Sequence, residues 1–284
     1  MAKKRPIIAL MYDFDKTLST RDMQEYKFIP SLGMKPEDFW IESGKIAKNN
    51  GMDATLAYMY LMIKKASEHG ISTVDTAMKK LGRSIVYYPG VEQWFTRINE
   101  YGKQHRADVE HYIISSGLKE IIEGSSVRKY FKEVYACEFY YDANRVPIWP
   151  KNVVNYTTKT QFLYRINKGC LDIYDSDGIN SYTKQEDRRI PFRNMIYIGD
   201  GMSDIPCMKL VKVNGGVSIA VYANRQLSTA KQLIKDQRVN FVEKADYSAG
   251  KKLDSLIKKI IDEMIAKSIL VSEQTKQSKE FVTR

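Results

Sequence analysis

Apolar positions in this chain fall into short continuous runs that stop abruptly at small or acidic residues. Ile7 to Tyr12 is almost wholly apolar and ends at Asp13, which reads as a strand buried on both faces. Tyr112 to Ile114 ends at Ser115-Ser116-Gly117, Met195 to Ile198 ends at Gly199-Asp200-Gly201, and Val217 to Tyr222 follows Gly215-Gly216. Phe241-Val242 is a weaker fifth run. Between these runs the apolar spacing is helical, over Val91 to Tyr101, Leu118 to Gly124, Thr160 to Asn167, Ser203 to Val211 and Gln226 to Lys235. Strands alternating with helices predict an α/β fold, a parallel sheet covered by helices on both faces, with ligands beyond the carboxyl ends of the strands.

Three stretches depart from the alternation. Residues from about Arg21 to Val86 look entirely helical, with Pro36 as a first-turn residue and helices over Asp53 to Glu68 and Ser72 to Leu81. Tyr-rich apolar residues between Glu138 and Tyr156 flank Asp142-Ala143-Asn144-Arg145, which predicts a β-hairpin. Asp172 to Arg193 reads as a long surface loop. Gly250 to Ile269 aligns Leu253, Leu256, Ile257, Ile260, Ile261 and Ile265 on one helix face, and the polar final dozen residues read as frayed. The Met/aromatic stripe Met52, Tyr58, Met59, Met62 reads as ordinary helical core.

Composition adds limits. The chain has 284 residues and 43% hydrophobic content, enough to bury a sizeable core. Cys137, Cys170 and Cys207 are odd in number and far apart, without zinc-site or disulfide spacing, and the basic residues Lys3, Lys4 and Arg5 lead into no secretory apolar core. Both point to a reducing cytoplasmic location. No run is long enough to span a membrane. The net charge of +11 favours anionic ligands. Because the lysines and arginines are scattered and not interleaved with aromatics, they read as solvated helix faces, with a nucleic-acid partner disfavoured.

The chemistry lies at the strand ends. Asp13 and Asp15 stand two residues apart after a buried strand, where their charges repel unless a cation holds them. Mg²⁺ takes oxygen ligands and commonly bridges carboxylates to a phosphate. Beside it, one carboxylate can attack phosphorus while the other moves the proton of the leaving oxygen. The run reads equally as a turn cap before a helix at Asp22, so the other motifs decide. Ser115 and Ser116 end the second strand, Lys159 opens a helix, and Gly199-Asp200-Gly201-Met202-Ser203-Asp204 brings two further carboxylates to another strand end. Asp200 suits a metal ligand, and Asp204 suits a support behind it.

This ordered set resembles the haloacid dehalogenase superfamily, and the resemblance covers nearly the whole chain. It implies a doubly wound, Rossmann-like core formed by residues 1–20 and 87–284, with residues 21–86 as a helical cap inserted after the first strand. It further implies Asp13 as nucleophile and magnesium ligand, Asp15 as general acid/base binding metal through its backbone carbonyl, and Asp200 as a further ligand. Thr17, Ser115, Ser116 and Lys159 would surround the phosphoryl group, Thr17 also supporting Asp15, with Asp204 behind the ligands. Asp15 separates the chain from the dehalogenase branch, which lacks that acid, and from the ATPase branch, which carries threonine there.

The expected activity is hydrolysis of a small phosphorylated metabolite, a phosphate monoester, through a phospho-aspartyl intermediate. A phosphomutase or phosphotransferase on the same fold, and a polyanion-binding module, are the alternatives. The helical cap looks most like that of phosphoserine phosphatase. Asp22 stands where relatives place a glutamate for the substrate's amino group, and Met59 where they place an arginine for its carboxylate. Ser203 replaces a usual asparagine.

Overall fold

The computed structural model describes residues 5–223 and 227–282. The basic Met1 to Lys4 stretch and the expected helix start at Gln226 lie outside them. One seven-stranded sheet runs through the molecule in the order β4-β3-β2-β1-β5-β6-β7. Its strands are β1 (Ile7–Tyr12), β2 (Asp108–Leu118), β3 (Phe131–Tyr141), β4 (Pro147–Asn152), β5 (Met195–Gly199), β6 (Val217–Tyr222) and β7 (Phe241–Lys244). All neighbours are parallel except the β3–β4 hairpin. The apolar run of β1 takes the centre because both its faces are covered, and Ile8 to Tyr12 are fully buried.

The chain leaves β1 and returns to β2 only after a long helical excursion. It comprises α1 (Phe28–Ser31), α2 (Pro36–Asn50), α3 (Ala54–Glu68) and α4 (Asp75–Leu81), and α5 (Val91–Gln104) then packs back on the sheet. Pro36 starts α2 beside Glu37 and Asp38, and the Asp53 carboxylate caps α3 by accepting from the N–H groups of Thr55 and Leu56. Met59, Leu61 and Met62 of α3 are buried. At the neck of the excursion, Thr20 N–H donates to Val86 O and Tyr88 N–H to Leu18 O, so the outgoing and returning chains pair.

After α6 (Lys119–Glu123), β3 begins earlier than the apolar pattern suggests. Its first half pairs parallel with β2 and its second half antiparallel with β4. Lys132 and Glu133 interrupt the apolar run, while Val134 to Cys137 are buried. The hairpin turn is closed by the Asp142 carboxylate, which accepts from Asn144 and Val146 N–H. α7 (Lys159–Lys168) and α8 (Ser176–Asn180) lead to β5, so the expected long loop over 172–193 holds a helical turn.

α9 (Ile205–Val213) joins β5 to β6 and α10 (Leu227–Lys235) joins β6 to β7. The last helix, α11 (Lys252–Val282), buries Leu253, Ile257, Ile260, Ile261 and Met264, and Leu256 and Ile265 are partly buried. It continues through the segment expected to fray. The polar residues there have good helix propensity, and the helix was already nucleated upstream. No helix among the described residues is long and apolar enough to cross a membrane. The three cysteines are free.

Candidate active site

The carboxyl ends of β1, β2 and β5 converge where the connections run off in opposite directions, the crevice in which open α/β sheets bind ligands. Asp13 prolongs β1, its N–H donating to Ile198 O at 2.9 Å. The chain then turns sharply. Phe14 O accepts from the N–H groups of Leu18 and Ser19, and Lys16 takes a left-handed φ of 57°. Asp13 and Asp15 therefore sit on a turn, which separates what an extended strand would have aligned.

Behind Asp13 stands a buried charge cluster. Lys159, at the start of α7, donates from Nζ to Asp13 Oδ1 and Asp204 Oδ1, each at 2.8 Å. Asp204 also accepts from the Tyr197 hydroxyl at 2.8 Å and from the N–H groups of Asp200 and Gly201. Gly199 makes room for it: a Cβ there would lie 2.5 Å from Asp204 Oδ2. Burial would lower the Lys159 pKa, but Asp13 and Asp204 outweigh it and hold the ammonium charged. Burial pushes Asp13 up to about 6 against the pull of Lys159. Asp200 rises to about 8 through burial and the nearby Asp204 and Asp13 charges.

Asp15 faces this cluster. Its carboxylate accepts from Met23 N–H at 2.8 Å, and burial together with the Asp22 and Asp13 charges raises its pKa well above the usual range. Gly117 is tailored to it, since a Cβ would meet Met23 Cε at 2.1 Å and Asp15 Oδ2 at 2.8 Å. Ser115 Oγ accepts from Gly117 N–H at 3.0 Å, leaving its proton available to another acceptor.

A cleft of about 420 Å³ opens over these groups, lined by Asp13, Asp15, Ser115, Ser116, Lys159 and Asp200 on the sheet side. The other wall comes from the helical excursion and presents Gln24, Trp40, Ser43, Thr55 and Tyr58. The Tyr58 hydroxyl donates to Ser116 O at 2.7 Å, and Asn155 Nδ2 donates to Asp53 Oδ2 at 3.0 Å, so the two walls are tied together. Gln24 is 2% exposed, and its Oε1 has no hydrogen-bond partner among the described residues.

Of the residues expected here, Asp22 reaches the cleft and pairs with Lys16 at 2.5 Å. Met59 is buried in the helical excursion away from the cleft, and its neighbour Tyr58 takes that place. Thr17 is fully buried outside the cleft lining, its hydroxyl 3.5 Å from Asp13 Oδ2. Thr17 thus contacts Asp13 where support of Asp15 was anticipated. Gln24, Trp40 and Tyr197 were not anticipated. Nothing in the local sequence distinguishes them from core residues, because the roles of Gln24 and Trp40 depend on facing the cleft and that of Tyr197 on reaching Asp204 behind it.

The family model of haloacid dehalogenase-like hydrolases matches residues 10–209, which contain every carboxylate of the cluster. The chain belongs to this family. A Borreliella burgdorferi protein of uncharacterised function is 30% identical over 281 residues, covering 89% of this chain and 96% of the relative. Among solved structures, a phospho-aspartyl intermediate analogue of phosphoserine phosphatase aligns over 90% of this chain and 99% of its own, with a TM-score of 0.52 at 15% identity. A probable phosphoserine phosphatase from Vibrio cholerae aligns over 96% of this chain and 67% of its own, with a TM-score of 0.56 at 13% identity. At such identities these likenesses describe the fold of the hydrolase.

The cluster of this haloacid dehalogenase-like hydrolase suits a hard divalent cation. One carboxylate oxygen each from Asp13, Asp200 and Asp204 lie within 4.8 Å of one another. Asp204 is already occupied by Lys159, Tyr197 and two N–H groups, so it positions its neighbours. Asp13 and Asp200 line the cleft, and their raised pKa values reflect burial first and neighbouring carboxylate charge second, both of which a bound cation would offset.

Proposed function

We propose that this hydrolase is a magnesium-dependent phosphatase that cleaves small phosphate monoesters through a phospho-aspartyl intermediate on Asp13. One observation carries the reading: the same cleft holds two carboxyl groups in different surroundings, Asp13 against the Lys159 ammonium and Asp15 on the Met23 N–H. Asp13 lies beside the Lys159 ammonium with a pKa of about 6, whereas Asp15 is held well above the usual range, mainly by burial. Paired carboxyls separated in this way form a nucleophile and a general acid.

In the first half-reaction an Asp13 oxygen attacks phosphorus, and the bond from phosphorus to the ester oxygen breaks. Asp15 gives its proton to that oxygen and is left as a carboxylate. Lys159 Nζ and the Ser115 hydroxyl donate to the non-bridging oxygens, where charge is fixed in a water-poor cleft. In the second half-reaction Asp15 takes a proton from the water that attacks the phospho-aspartate, and inorganic phosphate leaves. Asp13, Asp200 and the main-chain carbonyl of Asp15 would hold Mg²⁺, which when bound supplies positive charge to the phosphoryl oxygens. Residues 21–86 act as a cap that keeps bulk water out.

The cap wall carries no guanidinium among the described residues, and Lys16 is already paired with Asp22. A substrate carboxylate buried there would lack a partner. The organic part of the substrate therefore carries no carboxylate, and its hydroxyls would meet the Gln24 amide and the Trp40 and Tyr58 rings. Sugar and polyol phosphates should turn over ahead of phosphoserine in a metabolite panel. Phosphate release from p-nitrophenyl phosphate should require Mg²⁺ and fall at least about 10³-fold in Asp13→Asn. Magnesium binding without turnover of any monoester would overturn the reading, as would a phosphorylated acceptor formed in place of free phosphate.

A further inference from the structure

A larger cavity, about 700 Å³, opens at the other end of the sheet. It is lined by Arg5 just before β1, His105 and Arg106 just before β2, Arg188 and Arg189, and Arg193 just before β5. These positions are the amino ends of the three central strands. A six-residue strand separates them from the Asp13 cleft by about 20 Å.

The charges in this cavity are only partly balanced. Arg189 is neutralised by Glu110, which accepts two of its N–H groups, and Arg5 lies 3.9 Å from Asp108. Among the described residues Arg188 has only the neutral Asn167 amide, 3.0 Å from its Nη1. The side chains of Arg106 and Arg193 have no hydrogen-bond or ion-pair partner among the described residues. The Nε atoms of Arg188 and Arg193 are shielded from solvent and have no acceptor. Burial lowers the Arg193 pKa, in keeping with a partly desolvated guanidinium that no anion among the described residues neutralises. No acidic residue lines the cavity among the described residues.

Guanidinium groups gathered without anions repel one another, and their planar forks match phosphate oxygens bidentately. Much of the remaining wall is apolar, with Gln185 and Asn194 beside it. Pro6, Ile7 and Pro191 form one part, and Ile265 and Ile269 of α11 another, flanked by the Ser268 and Ser272 hydroxyls. A ligand that satisfies both halves has several negative charges and a flat apolar body. The volume lies within the usual range for small-molecule sites.

We propose that this cavity binds a nucleoside polyphosphate, with its phosphates on Arg106, Arg188 and Arg193 and its base against the α11 wall. The site is separate from the phosphatase cleft, and its ligand is held there without being hydrolysed.

Calorimetric titration of the full chain with ATP, adenosine, tripolyphosphate and a short single-stranded RNA tests this. ATP should bind at one site, adenosine and tripolyphosphate at least about tenfold more weakly, because each satisfies only half of the cavity. The paired change Arg188→Gln with Arg193→Gln should weaken ATP at least about tenfold and leave turnover of p-nitrophenyl phosphate unchanged. Ile269→Glu, at a side chain already 47% exposed and so tolerant of substitution, should do the same through the apolar wall. Asp13→Asn should leave this ATP binding intact. ATP binding that survives both cavity variants would overturn the assignment. Tripolyphosphate binding as tightly as ATP, or RNA binding more tightly, would also overturn it, in favour of a simple anion or a nucleic-acid surface.

Discussion

Lys159 has no exposed surface, yet its ammonium meets two carboxylates at 2.8 Å, one of which is the candidate nucleophile. Removing one carboxylate from such a cluster leaves buried donors without an acceptor. Asp204→Ala should therefore destabilise the fold by about 1–3 kcal/mol in urea unfolding, since the Tyr197 hydroxyl loses its acceptor and Lys159 is left with Asp13 alone. Gly117→Ala tests placement instead. The added methyl presses on Met23 and Asp15, and kcat should fall roughly 10- to 100-fold with little change in stability. The acids and glycines at the strand ends were legible in the sequence because they interrupt apolar runs abruptly. Gln24 and Tyr58 were not, because a helix residue facing a cleft and one facing a core show the same periodicity.

At the scale of elements, α3 is the tie between the two walls of the cleft, through Tyr58 to Ser116 O and through its capping Asp53 to Asn155. Tyr58→Phe should cost about 1 kcal/mol of stability and raise KM several-fold in steady-state assays, since the wall it anchors positions the substrate. The proposed metal site spans the turn after β1 and the end of β5, and carboxylates that hold a metal must be ionised. With Asp13 near 6 and Asp200 near 8, protonated carboxyls compete with Mg²⁺ at low pH. The rise in Tm on adding Mg²⁺ should accordingly be larger at about pH 8 than at about pH 6, as measured by thermal unfolding. Strands β1, β5 and β6 were legible as elements. The first half of β3 was hidden by Lys132 and Glu133, and the full reach of α11 by its polar end. In both cases tertiary pairing or helix propagation overrode the local pattern.

For the whole molecule, a buried polar network sits under the central strand. Tyr12 accepts from Trp94 Nε1 and lies 3.0 Å from His111 Nδ1, while His111 Nε2 lies 3.1 Å from Asn99 Oδ1. The Nε2–H tautomer satisfies both contacts, and burial drives the His111 pKa down to about 3. Between that value and the unfolded value of about 6.5 the unfolded chain binds the extra proton, so stability falls as pH falls through this window. From pH 7 to pH 5 the loss from this one group should be about 2 kcal/mol, and His111→Leu should remove that slope in denaturant titrations at the two pH values.

The sheet order also governs when the site can come into being. β1 is made first, yet its neighbours are β2, about a hundred residues later, and β5, almost twice as far along. At ribosomal rates of about 5–20 residues per second, roughly ten seconds or more pass before β5 emerges to cover the open flank of β1. Until then the nascent chain has an uncovered apolar strand and an Asp13 without the Asp200 and Asp204 that complete its cluster. A fragment that ends before β5 lacks Asp200 and Asp204 and so cannot assemble the cluster, and the open flank of β1 is meanwhile an edge that can pair with other chains.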